Sequence, residues 1–329
     1  MLKKNKKILI TGAAGFIGSH LAEFFVSKGF NVIAFDRYNS FNTFGWLDFS
    51  HLKNKIEFIF GDIRDYDSVN SAVKKCDAII HLAALIGIPY SYESPAAYLK
   101  TNIEGTYNIL ESVKNNKISQ VIITSTSETY GSAQSKKINE DHPYSAQSPY
   151  AATKISADQL SLSYYKSFNT PVKIIRPFNT YGPRQSSRAI IPTIISQSLN
   201  SNSIVLGNID TSRDLTYVSD TCRGFYEIFK CKKLIGEVVN VGSDNEISIK
   251  NIVSDLKIIT NQKLKIKIDK KRLRPKKSEV LRLRCNSDKL FKYTGWRPSI
   301  AFKLGLQKTY EWFSSKENKK FYKDKKYII

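Results

Sequence analysis

A tyrosine and a lysine stand four positions apart in the segment Tyr150-Ala-Ala-Thr-Lys154. On a helix this spacing places both side chains on one face, one turn apart. A lysine cation beside a tyrosine lowers the pKa of the phenol, and the phenolate then accepts a proton from a hydroxyl group as hydride leaves. Because the same spacing occurs by chance in many surface helices, the neighbouring segments must decide whether this pair is catalytic.

A run of glycines near the amino terminus predicts a phosphate-binding turn. The run extends from Thr11 to Gly18, between a predicted strand and a predicted helix. Gly12 allows a tight turn, and Gly15 lets backbone amides approach a pyrophosphate at the positive end of the helix. Gly18 lets that helix pack closely against the sheet. Glycines also mark ordinary turns, so the trio by itself is a weak signal.

An acid at the end of the second predicted strand strengthens the dinucleotide interpretation. Asp36 is placed to accept hydrogen bonds from the ribose hydroxyls of an adenosine. Its charge would repel a 2′-phosphate, which favours NAD over NADP. Arg37, the next residue, weakens this preference because an arginine can pair with a 2′-phosphate.

The elements that must position these groups form an alternating pattern of apolar strands and amphipathic helices. This pattern predicts an α/β fold with a doubly wound parallel sheet. Prolines and glycines after Asn179 predict a smaller mixed α/β lobe at the carboxyl end. We expect residues 1–180 and about 214–245 to bind the dinucleotide, and residues 181–213 and 246–329 to bind the substrate. The strand candidates are Lys7–Thr11, Asn31–Asp36, Ile56–Gly61, Ala78–Ala83, Val121–Thr126, Val172–Pro177 and Glu237–Val241.

The GxxGxxG spacing and the YxxxK pair together resemble the extended short-chain dehydrogenase/reductase family. The resemblance implies an NAD-binding Rossmann fold and a hydrogen bond from Thr126 to the reacting sugar hydroxyl. It also implies contacts around the adenine from the end of strand three and beside the nicotinamide from the end of strand four. The cofactor-binding residues implied in this way are Gly12, Gly15, Phe16, Ile17, Gly18, Asp36, Asp62, Ile63, Leu82, Ala83, Ala84, Tyr150 and Lys154.

Further segments look like the nucleotide-sugar 4,6-dehydratases, over essentially the whole chain from Lys7 to about Tyr310. The segment from Tyr38 to Asp48 is particularly similar to the dehydratases of N-acetylglucosamine nucleotides in legionaminic-acid-type pathways. The resemblance implies a homodimer formed by a four-helix bundle, and substrate contacts from Asn179, Arg188, Arg213, Asn240 and Arg274. The matching segments are Ser125–Gly131, Ser148–Lys154, Arg176–Gln185, Arg213–Val218 and Arg274–Val280.

Glu128 narrows the predicted reaction. Once C4 of the sugar is a ketone, the C5 proton is acidic, and a carboxylate two residues after Thr126 suits its removal. Glucose-nucleotide dehydratases carry an aspartate before this glutamate, whereas this chain has Ser127, a poor general acid. Glu128 would then pass the proton to the departing C6 oxygen. We therefore expect catalytic roles for Thr126, Glu128, Tyr150 and Lys154, and a UDP- or GDP-linked N-acetylglucosamine as the substrate.

Two alternatives stay open at this stage. The triplet Thr126-Ser127-Glu128 also occurs in UDP-glucuronate decarboxylases, and an epimerase would use the same Tyr150 and Lys154. A non-catalytic protein that holds nucleic acid through its net charge of +22 is disfavoured, because the basic residues are spread along the chain. No apolar stretch has the ~18–20 residues that span a bilayer. We expect a cytoplasmic protein with no metal site, no nucleic-acid partner and no membrane insertion.

Overall fold

The computed structural model describes residues 6–322 of the chain. Its core is a seven-stranded, wholly parallel sheet with the strand order β10-β6-β5-β4-β1-β2-β3. The strands are β1 (Lys7–Thr11), β2 (Asn31–Asp36), β3 (Ile56–Phe60), β4 (Ala78–His81), β5 (Val121–Thr124), β6 (Val172–Pro177), β7 (Asn179–Tyr181), β8 (Ser203–Leu206), β9 (Ser212–Tyr217), β10 (Val238–Val241), β11 (Glu246–Ser248), β12 (Lys265–Ile268) and β13 (Arg282–Leu283).

Helices cover both faces of this sheet, which explains why its strands are almost continuously apolar. Helices α1 and α8 pack together on one face, and α2, α5 and α6 pack in sequence on the other. The helices are α1 (Phe16–Ser27), α2 (Tyr66–Val73), α3 (Ile88–Glu93), α4 (Pro95–Tyr98), α5 (Gly105–Asn115), α6 (Pro149–Phe168), α7 (Ile190–Ser198), α8 (Val218–Lys230), α9 (Ile249–Thr260), α10 (Asp288–Thr294), α11 (Phe302–Ser314) and α12 (Lys316–Lys319).

The strand order reverses between β1 and β4, and this reversal determines where a ligand can bind. The chain winds outward from β1 through β2 and β3, then returns to β4 and continues through β5 and β6. In a doubly wound sheet the crevice lies at the carboxyl ends of the strands beside such a switch point. The predicted doubly wound α/β sheet is confirmed, and the predicted return of the chain to the sheet near Val241 is found in β10.

Helix α6 has clear start and stop signals in the sequence. Ser148 caps its amino end by accepting a hydrogen bond from the backbone of Ala151, and Pro149 occupies the first turn. Asn169 ends the helix in the left-handed conformation, with φ of 53°. Tyr150 therefore enters the first turn of a capped 20-residue helix, beside the carboxyl end of β5.

The helical stretch that begins at Pro95 contains a π-helical segment between α4 and α5, at Leu99–Glu104. This segment carries the buried Asn102, whose Nδ2 donates to the backbone of Leu85 and to Oγ1 of Thr153 in α6. A π-helical turn inside a helix redirects its side chains and is frequent at functional sites. Asn102 thereby connects the loop after β4 to helix α6.

The remaining strands form two small sheets beside the carboxyl ends of the large one. One has the order β11-β9-β13 with β7 also paired to β9, and the other joins β12 to β8. Helices α7, α9 and α11 pack around them in a separate apolar cluster. The residue bounds of the two lobes stay predictions. Within residues 6–322, no helix is long and apolar enough to cross a membrane.

Candidate active site

The glycine turn after β1 is shaped for close approach. Gly12 has φ of +69°, and a Cβ atom added there would lie 2.8 Å from the backbone nitrogen of Ala83. At Gly15 an added Cβ would meet only the carbonyl oxygen of Gly12, 3.3 Å away. Within residues 6–322 no side chain caps helix α1, and its first turn holds no acidic residue. The amides of this turn, at Phe16, Ile17 and Gly18, are thus available to an anion.

Asp36 holds the glycine turn against the end of β2. One carboxylate oxygen accepts a hydrogen bond from the backbone of Ala14 at 2.8 Å, and the other accepts one from the backbone of Arg37 at 2.8 Å. Burial raises the pKa of Asp36, and both hydrogen bonds oppose that rise. The acid therefore shapes the dinucleotide turn in addition to facing the position expected for the ribose.

The predicted adenine side is formed by Asp62 and Ile63. Both oxygens of Asp62 accept hydrogen bonds from the Arg64 side chain, which lowers the pKa of this carboxyl group. Ile63 packs against Gly105, and its carbonyl oxygen accepts a hydrogen bond from Asn108 at 2.9 Å. Arg64 already pairs with Asp62, so this acid is less available to a ligand than Asp36.

The end of β4 supplies the predicted nicotinamide side through Leu82, Ala83 and Ala84. The backbone nitrogen of Ala83 donates to Thr11 Oγ1 at 3.2 Å, and that hydroxyl lies 2.7 Å from Nδ1 of His81. Burial lowers the pKa of His81 to about 3, with the Lys154 charge adding to the effect. The imidazole is therefore neutral and fixes the strand end through hydrogen bonds.

Tyr150 and Thr126 form the centre of the site. The Tyr150 side chain is 6% exposed, and its phenol lies near the Thr126 side chain. Burial is the largest influence on the phenol and raises the pKa of Tyr150. The Thr126 side chain opposes this rise, and the negative charge of Glu128 adds to it. In the polypeptide alone the phenol is consequently protonated at neutral pH.

Lys154 is one helical turn away and faces the end of β5. Its Nζ atom donates to the carbonyl oxygen of Thr124 at 2.7 Å. Burial lowers the pKa of Lys154 to about 8, and the charge of Asp158 opposes that change. The expectation that Lys154 lowers the phenol pKa stays a prediction, and burial acts in the opposite direction on Tyr150 in the polypeptide alone.

A buried ion pair lies under Lys154. Oδ2 of Asp158 accepts hydrogen bonds from Arg176 at 3.0 and 2.8 Å and from Ser125 at 2.8 Å. The Arg176 guanidinium lies between the rings of Tyr130 and Tyr144, 4.8 Å from each centroid. The sequence analysis missed Asp158, although its position four residues after Lys154 places it on the same helix face.

Glu128 follows Thr126 in a short turn, and its charge acts on the Tyr150 phenol. Thr126 caps the short turn that carries it, since the backbone nitrogen of Glu128 donates to the threonine hydroxyl at 3.2 Å. Its carboxylate receives no hydrogen bond from any residue between 6 and 322, and its charge acts on both Tyr150 and Arg213. Glu128 is thus a half-buried carboxylate without a fixed donor, and its charge influences both the phenol and Arg213.

Two arginines predicted to bind a diphosphate come together at Glu279. Arg213 on β9 and Arg274 lie 3.7 and 3.9 Å from the same Glu279 oxygen. Burial lowers the pKa of Arg213, and the charge of Arg274 acts in the same direction. Sequence reasoning quoted Glu279 within a motif but missed its pairing, which depends on contacts between distant segments.

The other predicted substrate contacts divide into two kinds. Oδ1 of Asn179 is buried with no hydrogen-bond partner among residues 6–322, and Arg188 is exposed beside Gly87 at the mouth of the site. Asn240, in contrast, is fully buried. Its amide oxygen accepts a hydrogen bond from the Tyr130 hydroxyl, and its amide nitrogen donates to the Ile138 carbonyl. The contact of Asn240 with the nucleotide stays a prediction, and in this structure its amide supports the fold.

Comparison with known proteins agrees with this geometry. The family model described as GDP-mannose 4,6 dehydratase matches residues 9–309. The chain belongs to this family. It is an extended short-chain dehydrogenase/reductase of the group that contains nucleotide-sugar dehydratases, epimerases and decarboxylases.

Named relatives include all three activities. The chain is 33% identical to a UDP-N-acetyl-alpha-D-glucosaminuronate decarboxylase of Bacillus cytotoxicus, over 95% of this chain and 99% of that protein. It is 30% identical to the human dTDP-D-glucose 4,6-dehydratase, over 94% and 90% of the two chains. It is also similar to the crystal structure of the Bacillus cereus UDP-glucuronic acid 4-epimerase with UDP-glucuronic acid and NAD. That match has a TM-score of 0.85 and 31% identity, over 96% and 100% of the two chains.

Proposed function

We propose that this enzyme is an NAD-dependent 4,6-dehydratase of a UDP- or GDP-linked N-acetylglucosamine. The observation that carries the proposal is the Glu128 carboxylate, which has no fixed hydrogen-bond donor and acts electrostatically on both Tyr150 and Arg213. A base in this position is what removal of a proton beside a ketone requires. The dehydration also returns its hydride within one catalytic cycle, so the cofactor would remain bound.

The described residues fit NAD. Uncapped amides at the start of α1 suit its pyrophosphate, and the Asp36 carboxylate suits the adenosine ribose. The predicted cofactor contacts of Asp62, Ile63 and the strand end Leu82–Ala84 surround the same crevice at the switch point. When bound, NAD would accept a hydride from C4 of the sugar and return it at C6.

The first proton transfer is assigned to Tyr150. As the C4 hydroxyl group is oxidised, Tyr150 takes its proton and Thr126 holds the hydroxyl through a hydrogen bond. The phenol pKa is raised by burial, so the reaction depends on positive charge brought near Tyr150. Lys154, one turn along α6, supplies part of that charge from the polypeptide.

The elimination is assigned to Glu128. Its carboxylate takes the C5 proton, which the C4 ketone has made acidic, and passes it to the departing C6 oxygen so that water leaves. C5 then regains a proton from solvent when hydride is added at C6. Ser127 is buried, and a serine hydroxyl is a poor general acid. A single carboxylate thus performs both transfers, as the sequence analysis expected for a chain with serine at that position.

The nucleotide end of the substrate is assigned to the two arginines. Arg213 and Arg274 converge at Glu279, and arginine forks match the oxygens of a diphosphate. The unpartnered Oδ1 of Asn179 offers an acceptor for a substrate hydroxyl or amide. Arg188 completes the predicted nucleotide-binding side.

The uronate reactions of the named relatives form the second candidate. A glucuronate carries a carboxylate at C6, and in this site it would lie next to the half-buried Glu128 charge. Two adjacent carboxylates repel each other unless a cation separates them. Arg213 and Arg274, the cations paired with Glu279, are assigned here to the diphosphate, which favours a substrate with an uncharged C6 hydroxyl.

A homodimer and a cytoplasmic location belong to the same proposal. The predicted dimer forms through the helices within Asn102–Lys114 and Tyr150–Ser167, which pack against each other in α5 and α6. Tyr107 and Phe168 on these helices are large side chains that are 44% and 53% exposed. Their exposure supports the expected four-helix bundle.

The variant Glu128→Gln tests the assignment of the C5 base. It keeps the side-chain shape and removes the base, so we expect the 4-keto-6-deoxy product to fall by about 10²–10⁴-fold. Oxidation at C4 should persist, and it is seen as NADH absorbance after substrate is added to the holoenzyme. Ser127→Ala is the matched control and should retain most of the activity. Near wild-type product formation by Glu128→Gln would overturn the proposal.

A further inference from the structure

A dense basic segment runs from the second small sheet to the predicted diphosphate site. Nine of the fifteen residues from Lys263 to Lys277 are Lys or Arg, and Asp269 is the single acid among them. The sequence analysis treated the positive charge as evenly spread, but this segment concentrates it. Its exposed lysines are Lys263, Lys265, Lys267, Lys270, Lys271, Lys276 and Lys277, here called the lysine stripe.

The charges of the lysine stripe are not neutralised locally. None of its seven lysines forms an ion pair with any residue in the described range 6–322. Asp269 is already engaged, because it lies 3.6 Å from Arg272 and accepts a hydrogen bond from the backbone of Lys271. Uncompensated like charges along one edge raise the local concentration of an anion and its rate of association.

Hydrogen bonds fix the end of the stripe to the active site. The carbonyl oxygen of Lys277 accepts a hydrogen bond at 3.0 Å from Gln147, three residues before Tyr150. Ser278 donates to the backbone carbonyl of the same Gln147, and its hydroxyl is 2.5 Å from that of Tyr92 on α3. Glu279 then pairs with the two arginines. The stripe therefore ends at the predicted diphosphate position.

We propose that the lysine stripe is an electrostatic guide that draws the anionic diphosphate of the nucleotide sugar toward Arg274 and Arg213. The inference rests on the proposed nucleotide-sugar substrate but not on which bond reacts. The exposed ammonium groups act through their field in water and make no contact in the bound state. They affect association and leave the chemical step unchanged.

The test compares two fourfold Lys→Gln variants of the full-length holoenzyme. The stripe variant changes Lys270, Lys271, Lys276 and Lys277. The control variant removes the same charge at Lys74, Lys75, Lys232 and Lys233, which are exposed and without ion pairs in the described range. These four residues precede β4 and β10, so they lie at the amino ends of the parallel strands, whereas the site lies at the carboxyl ends. The strands are about 15 Å long. This length exceeds the Debye length of about 10 Å at 0.1 M salt.

Initial rates with the accepted nucleotide sugar are measured from low salt to about 0.5 M salt. We expect the stripe variant to lose about tenfold in kcat/KM at low salt, with kcat unchanged and a flatter dependence on salt. The control should stay within about twofold of wild type, and a fourfold Lys→Arg stripe variant should restore kcat/KM. Equal kcat/KM in the stripe and control variants, with product still formed, would overturn the guide while leaving the proposed function intact. Loss of kcat in the stripe variant would also overturn it.

Discussion

Lys154 donates a hydrogen bond from Nζ to the main-chain carbonyl oxygen of Thr124, 2.7 Å away at the end of β5. This contact fixes the Lys154 ammonium group to the end of β5, where the chain continues into the turn with Thr126 and Glu128. Three predicted catalytic groups from two parts of the chain are thereby kept in register. The arrangement has consequences for pH dependence, stability and cofactor binding.

The titration of Lys154 predicts an alkaline limit to activity. Its pKa is lowered from 10.5 to about 8 by burial, so the ammonium form prevails below pH 8 and is lost as the pH rises through that value. If the charge on Lys154 supports the phenolate of Tyr150, kcat/KM falls over the same range. The profile is measured on the apoenzyme with saturating NAD added at each pH.

A second buried lysine provides a matched control for that profile. The pKa of Lys173 is also lowered to about 8 by burial, but its Nζ bonds to Gln120 and to the carbonyl oxygen of Ile228, away from the site. Lys173→Met should leave the fall of kcat/KM at alkaline pH unchanged. Lys154→Arg should shift this fall to higher pH in the activity that remains, since arginine stays protonated. An alkaline limb that persists unchanged in Lys154→Arg would refute the assignment.

The same shift makes a prediction for stability. Between pH 8 and 10.5 the unfolded chain holds a proton on Lys154 that the folded chain has released. The contribution of this residue to the free energy of unfolding therefore rises with pH across that window. Urea unfolding of wild type and Lys154→Met at pH 7.5 and 9.5 measures it, and the variant should show a smaller gain at the higher pH. Equal increases in the free energy of unfolding for wild type and variant would contradict a pKa of Lys154 lowered by burial.

Removal of the buried negative charge at Asp158 should destabilise the fold. Asp158→Asn leaves the Arg176 guanidinium, which is fully buried, without a counter-ion. We expect the free energy of unfolding to fall by about 3–5 kcal/mol, as for other broken buried pairs. Glu57→Gln breaks the exposed pair with Lys7 and should cost about 1 kcal/mol or less. Similar decreases in the free energy of unfolding of the two variants would show that the buried pair stabilises the fold no more than the exposed pair.

Asp36→Asn tests the cofactor assignment. The substitution weakens acceptance of the Ala14 amide and removes the charge that faces the expected ribose. Loss of a hydrogen bond to a charged group costs about 1.5–3 kcal/mol, so the Kd for NAD should rise about tenfold or more. Titration calorimetry on the apoenzyme measures this. Asp62→Asn should have a smaller effect, because Arg64 already occupies that carboxylate. A larger effect at Asp62 would reverse the two assignments.

The fold was largely predictable because its signals are local. Strands β1, β2 and β6 have the bounds expected from their apolar runs, and the cap at Ser148 and the left-handed Asn169 define α6. The predicted strands that correspond to β3, β4 and β5 extend one or two residues too far at their carboxyl ends. There the chain turns into the crevice, and the last residues of each run bend away from the sheet to form the site.

The residues that the sequence analysis missed act through contacts between separate segments of the chain. Asp158, Asn102 and Glu279 each matter through a partner that is distant in sequence or carried by another element. For Asn240 a motif match predicts a ligand contact, and the structure adds that its buried amide is hydrogen-bonded within the fold. Sequence motifs predict the reacting groups, whereas burial and pairing could be assigned only from the folded chain.

The central claim is the net loss of water from an N-acetylglucosamine nucleotide, and product analysis in D₂O tests it most directly. The holoenzyme is incubated separately with UDP- and GDP-N-acetylglucosamine and with UDP-glucuronate, and the products are examined by mass spectrometry and NMR. We predict a 4-keto-6-deoxy product from one of the N-acetylglucosamine nucleotides, with deuterium at C5 and no added NAD consumed. An epimer of unchanged mass, or carbon dioxide released from UDP-glucuronate with no dehydration of either N-acetylglucosamine nucleotide, would contradict the account.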